Sequence, residues 1–123
     1  MTAHKGSCHC NAVQFEVDAD IASGVQCDCS FCKRRNAVML RVPADKFRLL
    51  TGEGALSLYQ WNTRAAKHYF CKNCGIYTHH QPRTRADMVG VNLGCIDEID
   101  AAQLPVERLQ GSQLSTVETS RGD

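Results

Sequence analysis

Apolar and polar residues alternate with a period of two in several short stretches, the pattern of strands buried on one face. Val13, Phe15 and Val17 interleave with Gln14 and Glu16, and Leu56, Leu58 and, less cleanly, Gln60 repeat the spacing. Val38–Val42, Lys67–Phe70 and Met88–Leu93 are further short runs rich in β-branched, aromatic or aliphatic residues. Gly52 and Gly54 bracket a turn, Pro43 and Pro82 interrupt other runs, and Gly90 and Gly94 suggest bulges or close backbone contacts. No window sustains a 3.6-residue apolar stripe, so helix is expected only as short turns at Ser30–Asn36 and Ala44–Phe47, the latter behind Pro43. From Gly111 onward the chain is polar, and residues 112–123 read as a loose tail. The pattern predicts a mainly β single domain over residues 1–123, with its special chemistry on the loops between strands.

Composition narrows the function classes. Hydrophobic residues make up 43% and charged residues 22% of 123 positions, which excludes disorder along the whole chain. No apolar run is long enough to span a membrane, and Met1–Ser7 offers no apolar stretch for a signal peptide, so a cytoplasmic protein without membrane contact is expected. A formal charge of +1 is too small for a nucleic-acid footprint.

Eight cysteines change the picture. Cys8/Cys10, Cys27/Cys29/Cys32 and Cys71/Cys74 are clustered at separations of two or three residues. Disulfides accommodate such close partners poorly, whereas near-neighbour thiolates converge readily on one tetrahedral Zn²⁺. Cys71-Lys-Asn-Cys74-Gly75 is the most specific motif, because a glycine after the second cysteine takes positive φ without strain. Cys8-His-Cys10-Asn11 supplies a second pair, with Asn11 where a left-handed residue is useful. These four cysteines make a closed site. Cys27-Asp-Cys29-Ser-Phe-Cys32 offers three ligands, which leaves one coordination position open, as in catalytic zinc. Cys95, His79 or His80 as a fourth ligand would close that site and make it structural; Cys95, in a run at Val89–Ile96, also reads as a small buried residue. His9, between two ligands, is expected to face away from the metal. Seven thiolates and two Zn²⁺ subtract seven charges and add four, taking the formal +1 to −2. Lys33-Arg34-Arg35 directly follows Cys32, either offsetting thiolate charge or recognising a substrate carboxylate. Tyr59, Trp61, Tyr69 and Phe70 read as core or sheet-surface aromatics.

The ordered motifs Gly6-Ser-Cys8-His-Cys10-Asn-Ala-Val13-Gln-Phe15, Cys27-Asp-Cys29-Ser-Phe-Cys32-Lys33 and His68-Tyr-Phe70-Cys71-Lys-Asn-Cys74-Gly75-Ile76 resemble those of the glutathione-dependent formaldehyde-activating enzyme family. Val91-Asn92-Leu-Gly-Cys95-Ile-Asp97 resembles its later strand and turn, and the likeness runs from about Gly6 to Gly111. The resemblance implies an Mss4-like β-tent of short antiparallel sheets with zinc-binding loops. It implies two Zn²⁺ per chain: a structural one on Cys8, Cys10, Cys71 and Cys74, and a catalytic one on Cys27, Cys29 and Cys32. The implied activity is that of a carbon–sulfur lyase on a thiol–aldehyde adduct, like S-(hydroxymethyl)glutathione synthase. Its partners would be a small thiol such as glutathione and an aldehyde such as formaldehyde, the thiol entering the open position beside Lys33, Arg34 and Arg35. Three departures stand out: Asn11 replaces a usual glycine, Asp28 a frequent histidine, and the turn near Gln110–Leu114 lacks a following tryptophan. A non-catalytic zinc module that binds a partner protein is the alternative.

Overall fold

Two hairpins built around cysteine turns carry the architecture. The computed structural model describes residues 2–61, 64–83 and 85–109, so the expected polar tail and the turn at Gln110–Leu114 lie outside the described residues. The first hairpin pairs β1 (Ala3–Ser7) antiparallel with β2 (Gln14–Asp18), Gly6 opposite Phe15. Its loop closes through the Cys8 N–H donating to the Val13 carbonyl at 3.0 Å, and Asn11 takes the expected left-handed conformation at φ 70°. The alternation at Val13, Phe15 and Val17 is one buried face: all three have no solvent exposure.

The chain then forms β3 (Gly24–Cys27), α1 (Ser30–Arg35), β4 (Met39–Pro43), β5 (Phe47–Thr51) and β6 (Leu56–Tyr59). The helical turn behind Pro43 is a single 3-10 turn over Ala44–Lys46. The second hairpin pairs β7 (Lys67–Cys71) with β8 (Tyr77–Gln81), after which come β9 (Met88–Asn92) and β10 (Val106–Leu109). β5 joins the first hairpin in a three-stranded sheet ordered β1-β2-β5. The other seven strands form a sheet ordered β10-β3-β4-β9-β8-β7-β6. The fold is therefore mainly β and consistent with a β-tent. Its pairings are antiparallel, except that β10 runs parallel beside β3.

The core has two centres. Phe15, Val17, Val42, Val91, Leu93 and Ile96 fill the space between the sheets. A second cluster, Cys8, Val13 and Cys71, is built around sulfur and lies where the two cysteine turns meet. The run expected as a strand to Ile96 stops at Asn92, because the Asn92 side chain accepts from the Gly94 N–H and turns the chain into a 3-10 turn at Leu93–Cys95. Gly90 makes the close contact its position suggested: the His80 ring on the neighbouring strand occupies the space where a Cβ would stand.

Candidate functional site

Each cysteine cluster is placed by a turn whose backbone N–H groups point at sulfur. In the first hairpin loop the Val13 N–H donates to Cys8 Sγ at 3.3 Å. In the β7–β8 turn the Gly75 N–H donates to the Cys71 carbonyl at 2.8 Å, with Gly75 at φ 79°. The N–H groups of Cys10 and Ile76 bring the Cys74 thiol down to about 6. Cys8, Cys10, Cys71 and Cys74, from chain segments far apart in sequence, bring their sulfur atoms within 4.8 Å of one another. The Sγ separations Cys8–Cys10 and Cys10–Cys71 are both 3.7 Å. Four sulfurs about 2.3 Å from a tetrahedral Zn²⁺ lie about 3.8 Å apart, so the donor set fits that ion.

Cys27, Cys29 and Cys32 form a second group within the same 4.8 Å. Cys27 ends β3, Cys29 is the N-cap of α1, and Cys32 lies in its first turn. The Cys29 N–H donates to Cys27 Sγ at 3.5 Å and the Cys32 N–H to Cys29 Sγ at 3.4 Å. Neighbouring Cys27 and Cys29, together with burial, push the Cys32 thiol far above an ordinary one. Three crowded, partly buried thiols cannot all ionise without a cation among them, which is the donor chemistry of a thiolate-bound metal. Two cysteine clusters able to hold metal ions are thus present. No Cys, His, Asp or Glu among the described residues joins the second group as a fourth member.

The alternative fourth ligands go elsewhere. Cys95 is buried, its Sγ donates to the Tyr77 carbonyl at 3.5 Å, and burial pushes its thiol up to about 12, that of a neutral core residue. The charges of Cys8 and Cys74, on the four-cysteine side, and of Asp97 add to that rise. His79 lies between the rings of Phe47 and Tyr69, with its Nδ1 2.9 Å from Thr78 Oγ1. His80 stacks on His68 with ring centroids 5.4 Å apart. His9 is exposed, as expected. None of the eight cysteines forms a disulfide.

The three cations after Cys32 separate. Lys33 and Arg34 are exposed, and Arg34 donates to the Ser30 carbonyl of its own helix at 2.9 Å. Arg35 turns inward, its guanidinium carbon 4.3 Å from the Tyr77 ring centroid and 5.6 Å from that of Phe31, and donates to the Tyr77 hydroxyl. Phe31, between two of the cysteines, stacks on Tyr59 at 5.4 Å and lies 4.3 Å from the His68 ring. The second cysteine group therefore has an aromatic wall and one inward cation. Sequence reasoning missed His68 and Tyr77 and set Tyr59 aside. The Cys71-x-x-Cys74-Gly75 turn pairs Phe70 with Tyr77, but an irregularity between Tyr69 and Phe70 shifts the register so that His68 falls opposite His80, a shift that no residue pattern announces.

Comparison with known proteins agrees with this geometry. Residues 3–110 match the family described as glutathione-dependent formaldehyde-activating enzyme. The chain belongs to that family. It is also similar to a crystal structure of a Rhodobacter sphaeroides protein, at 42% identity and a TM-score of 0.77, over 84% of this chain and 99% of that one. Membership supports a glutathione- and formaldehyde-related function for the chain. No helix among the described residues is long and apolar enough to cross a membrane.

Proposed function

We propose that this protein is a carbon–sulfur lyase that makes and breaks a thiol–aldehyde adduct, in the manner of an S-(hydroxymethyl)glutathione synthase, at Cys27, Cys29 and Cys32. The observation that carries the reading is the unequal pair of clusters: one has four sulfurs, the other three beside a half-buried aromatic and cationic wall. In this reading Cys8, Cys10, Cys71 and Cys74 hold a structural Zn²⁺, and the three-cysteine group holds a catalytic one. When bound there, Zn²⁺ would supply the positive charge that keeps crowded sulfurs ionised and acidifies an incoming thiol.

The residues of the chain perform the remaining tasks. The Cys29 and Cys32 N–H groups orient Cys27 and Cys29, and the end of β3 and the start of α1 together hold the three sulfurs in one small region. Phe31 and Tyr59 present an apolar wall to the carbon skeleton of a thiol, and Tyr59 is 45% exposed and so reachable from solvent. Lys33 and Arg34 at the rim, and Arg35 within, provide positive charge toward a carboxylate such as those of glutathione. Chemically, the thiol S–H is lost, the sulfur forms a bond to the aldehyde carbon, and the carbonyl becomes a hydroxyl. Adduct cleavage runs through the same bonds in reverse.

The test follows glutathione–formaldehyde exchange by NMR with zinc-loaded protein. The protein should accelerate exchange, and Cys29→Ala should abolish the acceleration while binding one Zn²⁺ fewer and keeping the other. No acceleration with glutathione or with a small unhindered thiol would overturn the lyase reading in favour of a non-catalytic zinc module.

A further inference from the structure

Tyr77 carries a hydrogen-bond arrangement that the overall fold does not require. Its hydroxyl accepts from Arg35 Nη1 and lies 2.9 Å from His68 Nδ1, with no third partner among the described residues. His68 is only 3% exposed, and its other ring nitrogen, Nε2, is buried with no hydrogen-bond partner. Two proton placements are open to this pair. If Tyr77 donated to His68 Nδ1, the imidazole proton would sit on Nε2 as a buried, unpaired N–H, the costlier kind of orphan. If His68 Nδ1–H donates to Tyr77, Nε2 is left as an unpaired acceptor and the tyrosine oxygen accepts twice. The second placement leaves the Tyr77 O–H free for a partner outside the cluster.

The place it can serve is the three-cysteine group. Phe31, between Cys29 and Cys32, packs its ring 6.0 Å from Tyr77 and 4.3 Å from His68. Arg35, one turn beyond Phe31, lies over both rings. Burial raises the Tyr77 phenol well above its ordinary value against the opposing charge of Arg35, with Cys32 and Cys29 raising it a little further, so that it stays protonated. His80 supports His68 from behind, with its ring stacked at 5.4 Å and pressed against Gly90.

We propose that the Tyr77 hydroxyl, held by Arg35 and by His68 acting as a donor, hydrogen-bonds the aldehyde-derived oxygen of the adduct at the three-cysteine site. Tyr77 is then a catalytic residue, while His68 and Arg35 are positioning residues. As the carbon–sulfur bond forms, the carbonyl π electrons move onto that oxygen, and a donor already in place stabilises the charge without reorganising. The net change is balanced, because the proton lost by the thiol is matched by the one gained on the hydroxyl. This assignment rests on the lyase reading and selects for small aldehydes whose oxygen can reach Tyr77 beside the bound sulfur.

Two measurements on zinc-loaded protein test it. Imidazole ¹⁵N NMR of the wild-type protein should find the His68 proton on Nδ1; a proton on Nε2 would mean that the Tyr77 hydroxyl is already committed to His68 and would overturn the assignment. Tyr77→Phe keeps the aromatic packing and should lower the exchange rate by about 10²–10³-fold while glutathione affinity stays unchanged. A rate equal to wild type, or a fall that merely follows lost thiol affinity, overturns the assignment and leaves the lyase reading intact. Absence of exchange in the wild-type protein removes both.

Discussion

Gly90 has a duty that only its neighbour explains. The three nearest atoms to a Cβ built there all belong to the His80 ring, which is 7% exposed and stacked against His68. The ring is buried and packed on His68, so overpacking is the expected consequence of any side chain. Gly90→Ala should lower unfolding free energy by about 1–3 kcal/mol in a denaturant titration. A variant as stable as the wild-type protein would mean that the ring repacks freely. Cys95 makes the complementary point: eight thiols look alike in a sequence, yet burial without a place in either sulfur cluster leaves this one a neutral core residue.

The three-stranded sheet is tied across its strands by charge. Arg48 on β5 faces Glu16 and Asp18 on β2, with Nη1 and Nη2 each 2.9 Å from an Asp18 oxygen and Nη2 2.5 Å from Glu16. The Arg48 hydrogen bonds hold the Asp18 carboxyl below its usual value. A carboxylate with a depressed folded pKa stabilises the fold above its unfolded pKa of about 3.9, and that contribution is lost as pH falls through the folded value. The Arg48 side chain is 41% exposed, so the effect is small and weakens with salt. Arg48→Gln should therefore change stability little at pH 7 and flatten its decline below about pH 4. An unchanged acid limb in pH-dependent unfolding would remove the cross-strand pair from the account.

Burial of histidine sets how the molecule as a whole responds to acid. Burial lowers His68 and His79 to about 4 each, with the Arg35 charge adding to the effect at His68, and it lowers His80 well below its ordinary value. Unfolded histidine binds a proton near pH 6.5, which the folded state refuses until lower pH. Stability is therefore fully present above about 6.5 and is lost as pH falls from there toward about 4. His79 is the clean probe, since it belongs to neither cysteine group and Thr78 keeps its bond to the Tyr69 carbonyl without it. His79→Phe should reduce the slope of stability against pH between about 6 and 4.5 by one proton, about 1.4 kcal/mol per pH unit. A slope identical to wild type would show that His79 protonates inside the fold.

Local chemistry is legible in the amino-acid sequence alone. Alternation at Val13, Phe15 and Val17 reports a strand because side chains two residues apart must share a face. The cysteine spacings report their turns, because a metal-binding turn needs sulfurs two or three residues apart and a left-handed residue at Asn11 or Gly75. The strands β1, β3, β5, β8 and β10 are as short as those the pattern reveals but lack a regular apolar–polar spacing, and β8 buries the polar residues Thr78, His79 and His80. The fates of Lys33, Arg34 and Arg35 are equally hidden, because three adjacent cations are chemically alike until a helix turns one of them toward Tyr77. Spacing along a chain controls which atoms can share a turn. Which turns meet, which histidines lose water and which ring Arg35 lies over depend on how strands distant in sequence pair within the two sheets, and that is decided only when the whole chain packs.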